Sequence, residues 1–172
     1  MGKPWLLLDR DDTILDDPGY LSDPSAVKFL PGAIEGLQRF QAQGWPLVVV
    51  TNQSGIGRGY YTEGELTLVH ARFEELLRSE GVQLAGLYHC PHAPNEGCAC
   101  RKPATKMAED ASNELGLRLP DAVMVGDKAS DLEFGRRIGA RYVAQILLEG
   151  RSKEKADGHF FSLKELALHL LS

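Results

Sequence analysis

Four apolar residues, Trp5–Leu8, run directly into the acidic residues Asp9 and Asp11. Such a short run favours a strand buried on both faces of a parallel sheet over a helix. The acids would then lie at the carboxyl end of that strand, where open α/β sheets bind ligands. Side chains two residues apart project the same way, so we expect both carboxylates in one small space. Their repulsion, about 4 kcal/mol at roughly 4 Å for an effective dielectric near 20, requires a divalent cation or a shared proton to offset it.

The ligand types at this strand end favour a hard cation. Carboxylates are present without Cys or His, so Mg2+ with oxygen ligands fits best. A calcium loop needs Gly at its sixth position and Glu at its twelfth, where this chain has Ile14 and Tyr20, so we exclude it. The remaining alternative is an acidic surface turn that binds nothing.

Further hydrophobic segments alternate with helical patterns along the chain. The predicted strands are 47–51, 86–90, 122–126 and 141–144, and the predicted helices start at 31 or 32 and run to 44, then span 62–80, 104–116 and 162–171, with one more after residue 127. This order predicts an α/β fold, a parallel sheet with right-handed crossovers and helices on both faces.

Length and charge limit the classes of function. The 172 residues, 43% of them hydrophobic, suit a single domain, 1–172, with a substantial core. A formal net charge of −5 argues against nucleic acid or an anionic membrane as a partner. No 18-residue apolar run and no signal-peptide pattern is present. We therefore expect a cytoplasmic protein, a monomer, that acts on a small molecule.

Polar groups end the second predicted strand. Thr51, Asn52, Gln53 and Ser54 offer hydroxyl and amide groups that could hydrogen-bond a phosphoryl group held over Asp9. The glycine-rich continuation, residues 55–59, matches neither a Walker loop nor a dinucleotide-binding fingerprint.

All three cysteines, Cys90, Cys98 and Cys100, lie in an 11-residue window with His92. The pattern C-x-H then C-x-C supplies four ligands for tetrahedral Zn2+, and an ion would order the loop 90–100, which contains almost nothing apolar. Four protein ligands leave no open position, so the predicted site is structural. The alternatives are His89 as a ligand in place of His92, and a disulfide or free thiols in place of zinc.

Arg101 and Lys102 directly follow the last candidate zinc ligand. A metal-ordered loop and the rigid Pro103 would hold both cations in place. Two solvated surface cations are the alternative.

Two motifs connect these residues to a known family. Asp9-Arg10-Asp11-Asp12-Thr13 resembles the D-x-D-x-T signature of the haloacid dehalogenase (HAD) phosphatases, and the segment from Gly126-Asp127 to Asp131 resembles their G-D-x-x-x-D motif. One position departs from the signature, because the family commonly has Gly where this chain has Asp12. We therefore expect a turn conformation there that an ordinary residue can adopt.

The resemblance implies a Mg2+-dependent phosphatase with an aspartyl-phosphate intermediate. Asp9 would be the nucleophile and Asp11 the acid and base, while Thr51 and Lys102 would contact the phosphoryl group. Mg2+ would be held by the side chains of Asp9 and Asp127 and by the backbone carbonyl of Asp11. Asp131 would support this metal site by orienting water or a lysine. The segments between the motifs are too short for the separate cap domain that most members carry, so we expect an open, capless site.

Within the family, Thr51-Asn52-Gln53-Ser54-Gly55-Ile56-x-Arg58-Gly59 resembles the D-glycero-D-manno-heptose 1,7-bisphosphate 7-phosphatases, which act towards lipopolysaccharide core or glycoprotein heptose. That subfamily and the histidinol-phosphate phosphatases carry a similar zinc loop. The residues expected at the substrate are Asp17, Gly19, Tyr20, Asn52, Gln53, Ser54, Arg58, Arg101 and Lys128, with Arg58 suited to a distal phosphate. The alternatives are histidinol phosphate or another small sugar phosphate as substrate, or a non-catalytic phospho-accepting receiver.

Overall fold

The computed structural model describes residues 2–172. One sheet has six strands, β1 (Trp5–Leu8), β2 (Leu47–Asn52), β3 (Gly86–Cys90), β4 (Ala122–Gly126), β5 (Tyr142–Ile146) and β6 (Gly158–Phe160). Their spatial order is β3-β2-β1-β4-β5-β6, and every neighbouring pair is parallel. In this doubly wound order the direction of progress reverses between β1 and β4, which opens a crevice at their carboxyl ends.

β1 occupies the centre of the sheet and is buried on both faces. Leu6 and Leu8 pack into the core on one face, while Trp5 and Leu7 pack into the core on the other. This alternation confirms that the four-residue apolar run is a two-sided strand.

Residues 2–172 also form six α-helices. They are α1 (Ala33–Ala42), α2 (Ser54–Gly57), α3 (Glu63–Ser79), α4 (Lys106–Leu115), α5 (Ala129–Arg137) and α6 (Leu163–Leu170). Helices α1, α3 and α6 pack on one face, and α4 and α5 pack on the other. The three-layer α/β arrangement expected from the sequence is therefore confirmed. Over residues 2–172, no helix combines the length and the apolar content needed to cross a lipid bilayer.

The predicted elements lie within a few residues of the observed ones, and β3 and β4 have the predicted bounds. A capping box begins α3, because the side chains of Thr62 and Glu65 each accept a hydrogen bond from the other residue's backbone N–H. The sequence pattern did not predict β6, a three-residue edge strand, or α2, a single helical turn in the glycine-rich segment after β2.

Candidate active site

Three carboxylates meet at the crevice between β1 and β4. Asp9 follows β1, Asp127 follows β4, and Asp131 lies in the first turn of α5; one oxygen from each lies within 4.8 Å of the others. The Asp9 N–H donates to the Val125 carbonyl at 2.9 Å, which aligns the two strand ends. Asp131 also caps α5, since its Oδ2 accepts from the backbone N–H groups of Asp127 at 3.1 Å and Lys128 at 3.0 Å.

Lys102 lies against this cluster and is only 2% exposed. Its Nζ donates to Asp9 Oδ1 at 2.8 Å and to the Val50 carbonyl at 2.7 Å, and it pairs with Asp131 Oδ1 at 2.8 Å. Burial alone would lower the pKa of Lys102, but the carboxylates of Asp131 and Asp9 outweigh it and raise the pKa. The side chain is therefore a fixed positive charge directly beside Asp9.

The side chain of Asn52 holds the backbone of this lysine. Asn52 Oδ1 accepts from the Lys102 N–H at 2.9 Å, and Asn52 Nδ2 donates to the Lys102 carbonyl at 3.2 Å. Asn52 was expected to contact the substrate. It lines a cavity of about 350 Å³ beside the carboxylate cluster, but its side-chain amide is engaged by the Lys102 backbone.

The Asp127 carboxylate has the surroundings of a cation ligand. Both of its oxygens are buried, and neither has a hydrogen-bond partner. Burial, together with the charges of Asp9 and Asp131, raises the pKa of Asp127 to about 9. Burial also raises the pKa of Asp9 to about 6, a shift that Asp131 increases and Lys102 opposes. Clustered oxygen acceptors without donors fit a divalent cation such as Mg2+, which would restore their ionised forms.

A small cavity of about 90 Å³ lies at the carboxylate cluster, and both Asp9 and Asp11 line it. The Asp11 carboxylate has different partners from that of Asp9. Arg10 donates to it through both arms, Nε to Oδ1 at 2.8 Å and Nη2 to Oδ2 at 3.1 Å, and Gln53 Nε2 adds a weaker contact to Oδ2 at 3.3 Å. The repulsion between the two acids is therefore offset in part by a guanidinium, a partner that the strand-end pattern did not indicate.

Thr51 and Gln53 lie behind the cavity in a buried network. Gln53 Nε2 donates to Thr51 Oγ1 at 2.8 Å, and Tyr61 donates its hydroxyl proton to Gln53 Oε1. Thr51 is fully buried, and its own hydroxyl proton has no acceptor in this network, so it is free to donate.

A larger cavity of about 350 Å³ adjoins the carboxylate cluster. Its lining contains all nine residues expected at a substrate, Asp17, Gly19, Tyr20, Asn52, Gln53, Ser54, Arg58, Arg101 and Lys128, together with Asp11, Gly55 and Tyr61. Tyr20 packs edge-on against Tyr60 at its rim, with ring centroids 4.7 Å apart. The structure thus gathers residues from four separate segments of the chain, 11–20, 52–61, 101 and 128, into one polar cleft.

Arg101 lines both cavities and has an unpaired donor in its side chain. Its Nη1 is buried and has no hydrogen-bond acceptor in the protein. A buried guanidinium N–H normally finds an acceptor, so this group fits an anionic ligand in the cleft.

Asp12 corrects one expectation. Its φ is +57°, so the turn has the left-handed conformation that glycine favours, not one that an ordinary residue readily adopts. Two contacts hold it there, since Asp12 Oδ1 accepts from the Asp17 N–H at 3.1 Å and Oδ2 accepts from Arg151 Nη2 at 2.6 Å. Asp tolerates this region better than most residues, and its carboxylate ties two loops to the end of β1.

The loop 90–100 brings its four candidate ligands together. His92 Nδ1 lies 3.3 Å from Cys90 Sγ and 3.2 Å from Cys100 Sγ, and Cys90 Sγ lies 3.6 Å from Cys98 Sγ and 2.8 Å from Cys100 Sγ. The 2.8 Å separation is tighter than a zinc tetrahedron with bonds of about 2.3 Å requires, while the others approach its edge. All three cysteines are free, and none of these distances is a disulfide bond of about 2.05 Å. His89 lies outside the cluster, with Nε2 2.9 Å from Glu63 Oε2.

Four residues near the site were not predicted from the sequence. Arg10 is fully buried, and His70, a residue of α3, is only 8% exposed and contacts Arg10. Tyr61 and Arg151 contact Gln53 and Asp12. Only Arg10 had a usable signal, because an arginine that directly follows a buried strand needs a buried partner.

Known proteins resemble the chain over most of its length. A family model described as HAD-hydrolase-like matches residues 99–159. A probable D-glycero-D-manno-heptose-1,7-bisphosphate 7-phosphatase of Thermoplasma volcanium is 40% identical over 77% of this chain and 92% of the relative. The D-glycero-beta-D-manno-heptose-1,7-bisphosphate 7-phosphatase of Pseudomonas aeruginosa is 38% identical over 83% of this chain and 81% of the relative.

A solved structure shows the same fold. The D,D-heptose 1,7-bisphosphate phosphatase from B. bronchiseptica, crystallised with magnesium and phosphate, superposes with a TM-score of 0.87 at 27% identity and covers 98% of both chains. Motifs, topology and relatives agree, and the chain belongs to the D-glycero-D-manno-heptose-1,7-bisphosphate 7-phosphatase family of HAD-like phosphatases.

Proposed function

We propose that the protein removes the 7-phosphate of D-glycero-D-manno-heptose 1,7-bisphosphate in a Mg2+-dependent reaction through a phosphorylated Asp9. One observation carries this proposal: buried groups of opposite charge at the carboxyl edge of the sheet have no hydrogen-bond partner in the protein. Neither Asp127 oxygen has a hydrogen-bond donor, although Arg151 Nη1 lies 3.9 Å from Oδ2, and Arg101 Nη1 has no acceptor. A divalent cation together with a phosphate ester satisfies both.

We assign the role of the nucleophile to Asp9. Its side chain is 10% exposed and lines the small cavity, so one oxygen can approach phosphorus while Lys102 holds Oδ1. As the Asp9 O–P bond forms, the bond from phosphorus to the sugar oxygen breaks. Mg2+, which Asp9, Asp127 and the Asp11 backbone carbonyl would hold, supplies charge neutralisation at the phosphoryl oxygens. Lys102 and the Thr51 hydroxyl add positive potential and a hydrogen bond there.

Asp11 has the geometry of the proton carrier. It faces the cavity beside Asp9 and is not committed to Lys102. It would give a proton to the departing sugar oxygen and then take one from the water that attacks the Asp9 phosphate, which returns both carboxylates to their starting states.

The adjoining cleft suits a small substrate with a second anionic group. Three cations, Arg58, Arg101 and Lys128, outnumber the two carboxylates of Asp11 and Asp17 in its lining, although the whole chain carries a net charge of −5. Positive charge concentrated in one cleft attracts a phosphate that the overall charge repels. We assign Arg58 and Lys128 to the phosphate that is not cleaved.

We propose that Cys90, His92, Cys98 and Cys100 hold one structural Zn2+. Their converging ligand atoms support this assignment, and the loop leads directly into Arg101 and Lys102. Three free cysteines without a disulfide support a reducing cytoplasm as the location. The cleft is built by one chain, which supports activity as a monomer.

A substrate panel tests the proposal. The protein, assayed with Mg2+ on the heptose bisphosphate, histidinol phosphate and simple hexose phosphates, should show the highest kcat/KM on the heptose bisphosphate. A preference for histidinol phosphate would reassign the substrate. No hydrolysis of any ester, with retained phosphorylation of Asp9, would instead support a receiver-like domain.

A further inference from the structure

Arg10 is an unusual residue at this site because its guanidinium is completely buried. The residue is 0% exposed, and each guanidinium nitrogen has a partner. Nε and Nη2 donate to the two oxygens of Asp11, and Nη1 donates to His70 Nε2 at 2.9 Å. A buried guanidinium costs several kcal/mol unless every donor is satisfied, so this arrangement admits little movement.

His70 supports Arg10 from the side opposite to Asp11. Arginine has no acceptor, so the contact requires a lone pair on His70 Nε2 and therefore a neutral ring. Burial in α3, the charge of Arg10 and the nearby His89 lower the pKa of His70 to about 3, in agreement with that geometry. His89 and Glu63 pair with each other further out and do not contact Arg10.

The two hydrogen bonds from the Arg10 guanidinium limit the directions in which the Asp11 carboxylate can bind another group. A carboxylate has about four lone-pair directions. Arg10 occupies two of them, and Gln53 approaches a third from across the cavity. The plane of the carboxylate is then fixed, and one direction is left for a proton exchanged with a ligand.

We propose that Arg10 and His70 are positioning residues that aim Asp11 at the leaving oxygen of the substrate: Arg10 fixes the carboxylate plane, and His70 fixes Arg10. The inference rests on the proposed function, in which Asp11 donates a proton to the sugar oxygen as its bond to phosphorus breaks. It assigns a catalytic purpose to an ion pair that would otherwise serve only to bury charge.

The test uses two esters that differ in their need for that proton. An alkoxide leaves poorly without one, whereas 4-nitrophenolate leaves well without one. We therefore expect Arg10→Lys to lower kcat/KM for heptose bisphosphate by about 100-fold, and kcat/KM for 4-nitrophenyl phosphate by less than about 5-fold. Asp11→Asn should show the same asymmetry and serves as the reference.

The second arm uses His70, which is remote from the reacting atoms. His70→Gln keeps an acceptor for Arg10 and should stay within about 3-fold of the unmodified protein, while His70→Leu should lose about 10-fold on the sugar ester only. Glu63→Gln, which touches His89 and not Arg10, is the matched control and should change neither ester. Thermal unfolding verifies that each variant is folded. If Arg10→Lys does not fold, the two His70 variants still test the inference.

Equal losses on both esters in folded variants, or no loss on either, would overturn the inference and leave Arg10 a structural ion pair. Hydrolysis of neither ester by the unmodified protein would overturn the proposed function itself.

Discussion

Two carboxylates only two residues apart acquire different chemistry from their neighbours. Asp9 lies between Lys102 and the buried Asp127, where a nucleophile can be held against a cation. Asp11 lies in the fork of Arg10, away from that cluster. In the proposed mechanism, the distinction between nucleophile and proton carrier thus follows from which side chains reach each oxygen, not from the two acids themselves.

Lys102 provides a direct test at this scale. Lys102→Met should leave Asp9 and Asp131 buried without their counter-charge and lower the metal-free free energy of unfolding by about 3–5 kcal/mol. It should also lower kcat by at least about 100-fold, because a cation at the phosphoryl group is lost. Urea unfolding and steady-state kinetics measure the two effects.

The matched double variant Lys102→Met with Asp131→Asn should recover part of the stability but none of the activity, since one uncompensated charge is removed. Equal stability of the single and double variants would show that Asp131 is not a significant partner of Lys102.

Asp12 allows the cost of its backbone conformation to be separated from its contacts. Asp12→Ala and Asp12→Gly both lose the bonds to Asp17 and Arg151, but only Ala keeps a Cβ at φ +57°. We expect the Ala variant to be less stable than the Gly variant by about 1–2 kcal/mol in denaturant unfolding. Equal stabilities would mean that the turn relaxes out of the left-handed region.

At the scale of elements, the sequence pattern predicted those helices and strands whose bounds are set by local residues. β3 and β4 were predicted with their bounds because apolar runs end sharply at polar residues, and α3 was predicted because its apolar residues recur at helical spacing. Helix α2 and strand β6 are too short to carry a period.

The Arg10–His70 contact joins residues 60 positions apart, and nothing local to either residue marks the other. The left-handed turn at Asp12 depends on Arg151, 139 positions away. Such pairings are set by packing of the whole sheet, so the sequence pattern named the candidate ligands and cleft residues but not the groups that orient them.

The loop 90–100 should lose its order with its metal. Removal of Zn2+ by a chelator is expected to lower Tm and to reduce kcat, because the loop leads into Lys102 and little apolar packing holds it. Cys98→Ser should lose zinc in the same way, while Ser79→Ala, an exposed position at the end of α3, should not. Metal analysis of unchelated protein that finds no zinc would contradict the assignment.

At the scale of the whole molecule, the clustered acids link stability to pH and to Mg2+. The pKa of Asp127 rises from 3.8 to about 9 and that of Asp9 from 3.8 to about 6. At pH values between 3.8 and the raised pKa of each group, the folded protein therefore binds more protons than the unfolded chain. Stability of the metal-free protein from these groups is therefore full at low pH and is lost as pH rises through the raised values.

Mg2+ should reverse that loss, because a cation favours the ionised carboxylates. We expect saturating Mg2+ to raise Tm by about 5–10 °C at pH 8 and by much less at pH 5.5, where protons compete. Differential scanning calorimetry with and without Mg2+ measures this, and Asp127→Asn should abolish the difference. A rise in Tm that is independent of pH would place the cation elsewhere.

The central claim is that Asp9 carries the phosphoryl group, and trapping that species tests it most directly. Asp11→Asn protein should accumulate phosphate on Asp9, since the carboxylate that activates water for its hydrolysis is absent. Acid quench during turnover of 4-nitrophenyl phosphate, whose leaving group needs no proton from residue 11, followed by peptide mass spectrometry, should find phosphate on the peptide containing Asp9, labile to hydroxylamine, and none in Asp9→Asn protein. Steady turnover with no phosphate on Asp9 at any quench time, or phosphate on another residue, would contradict it.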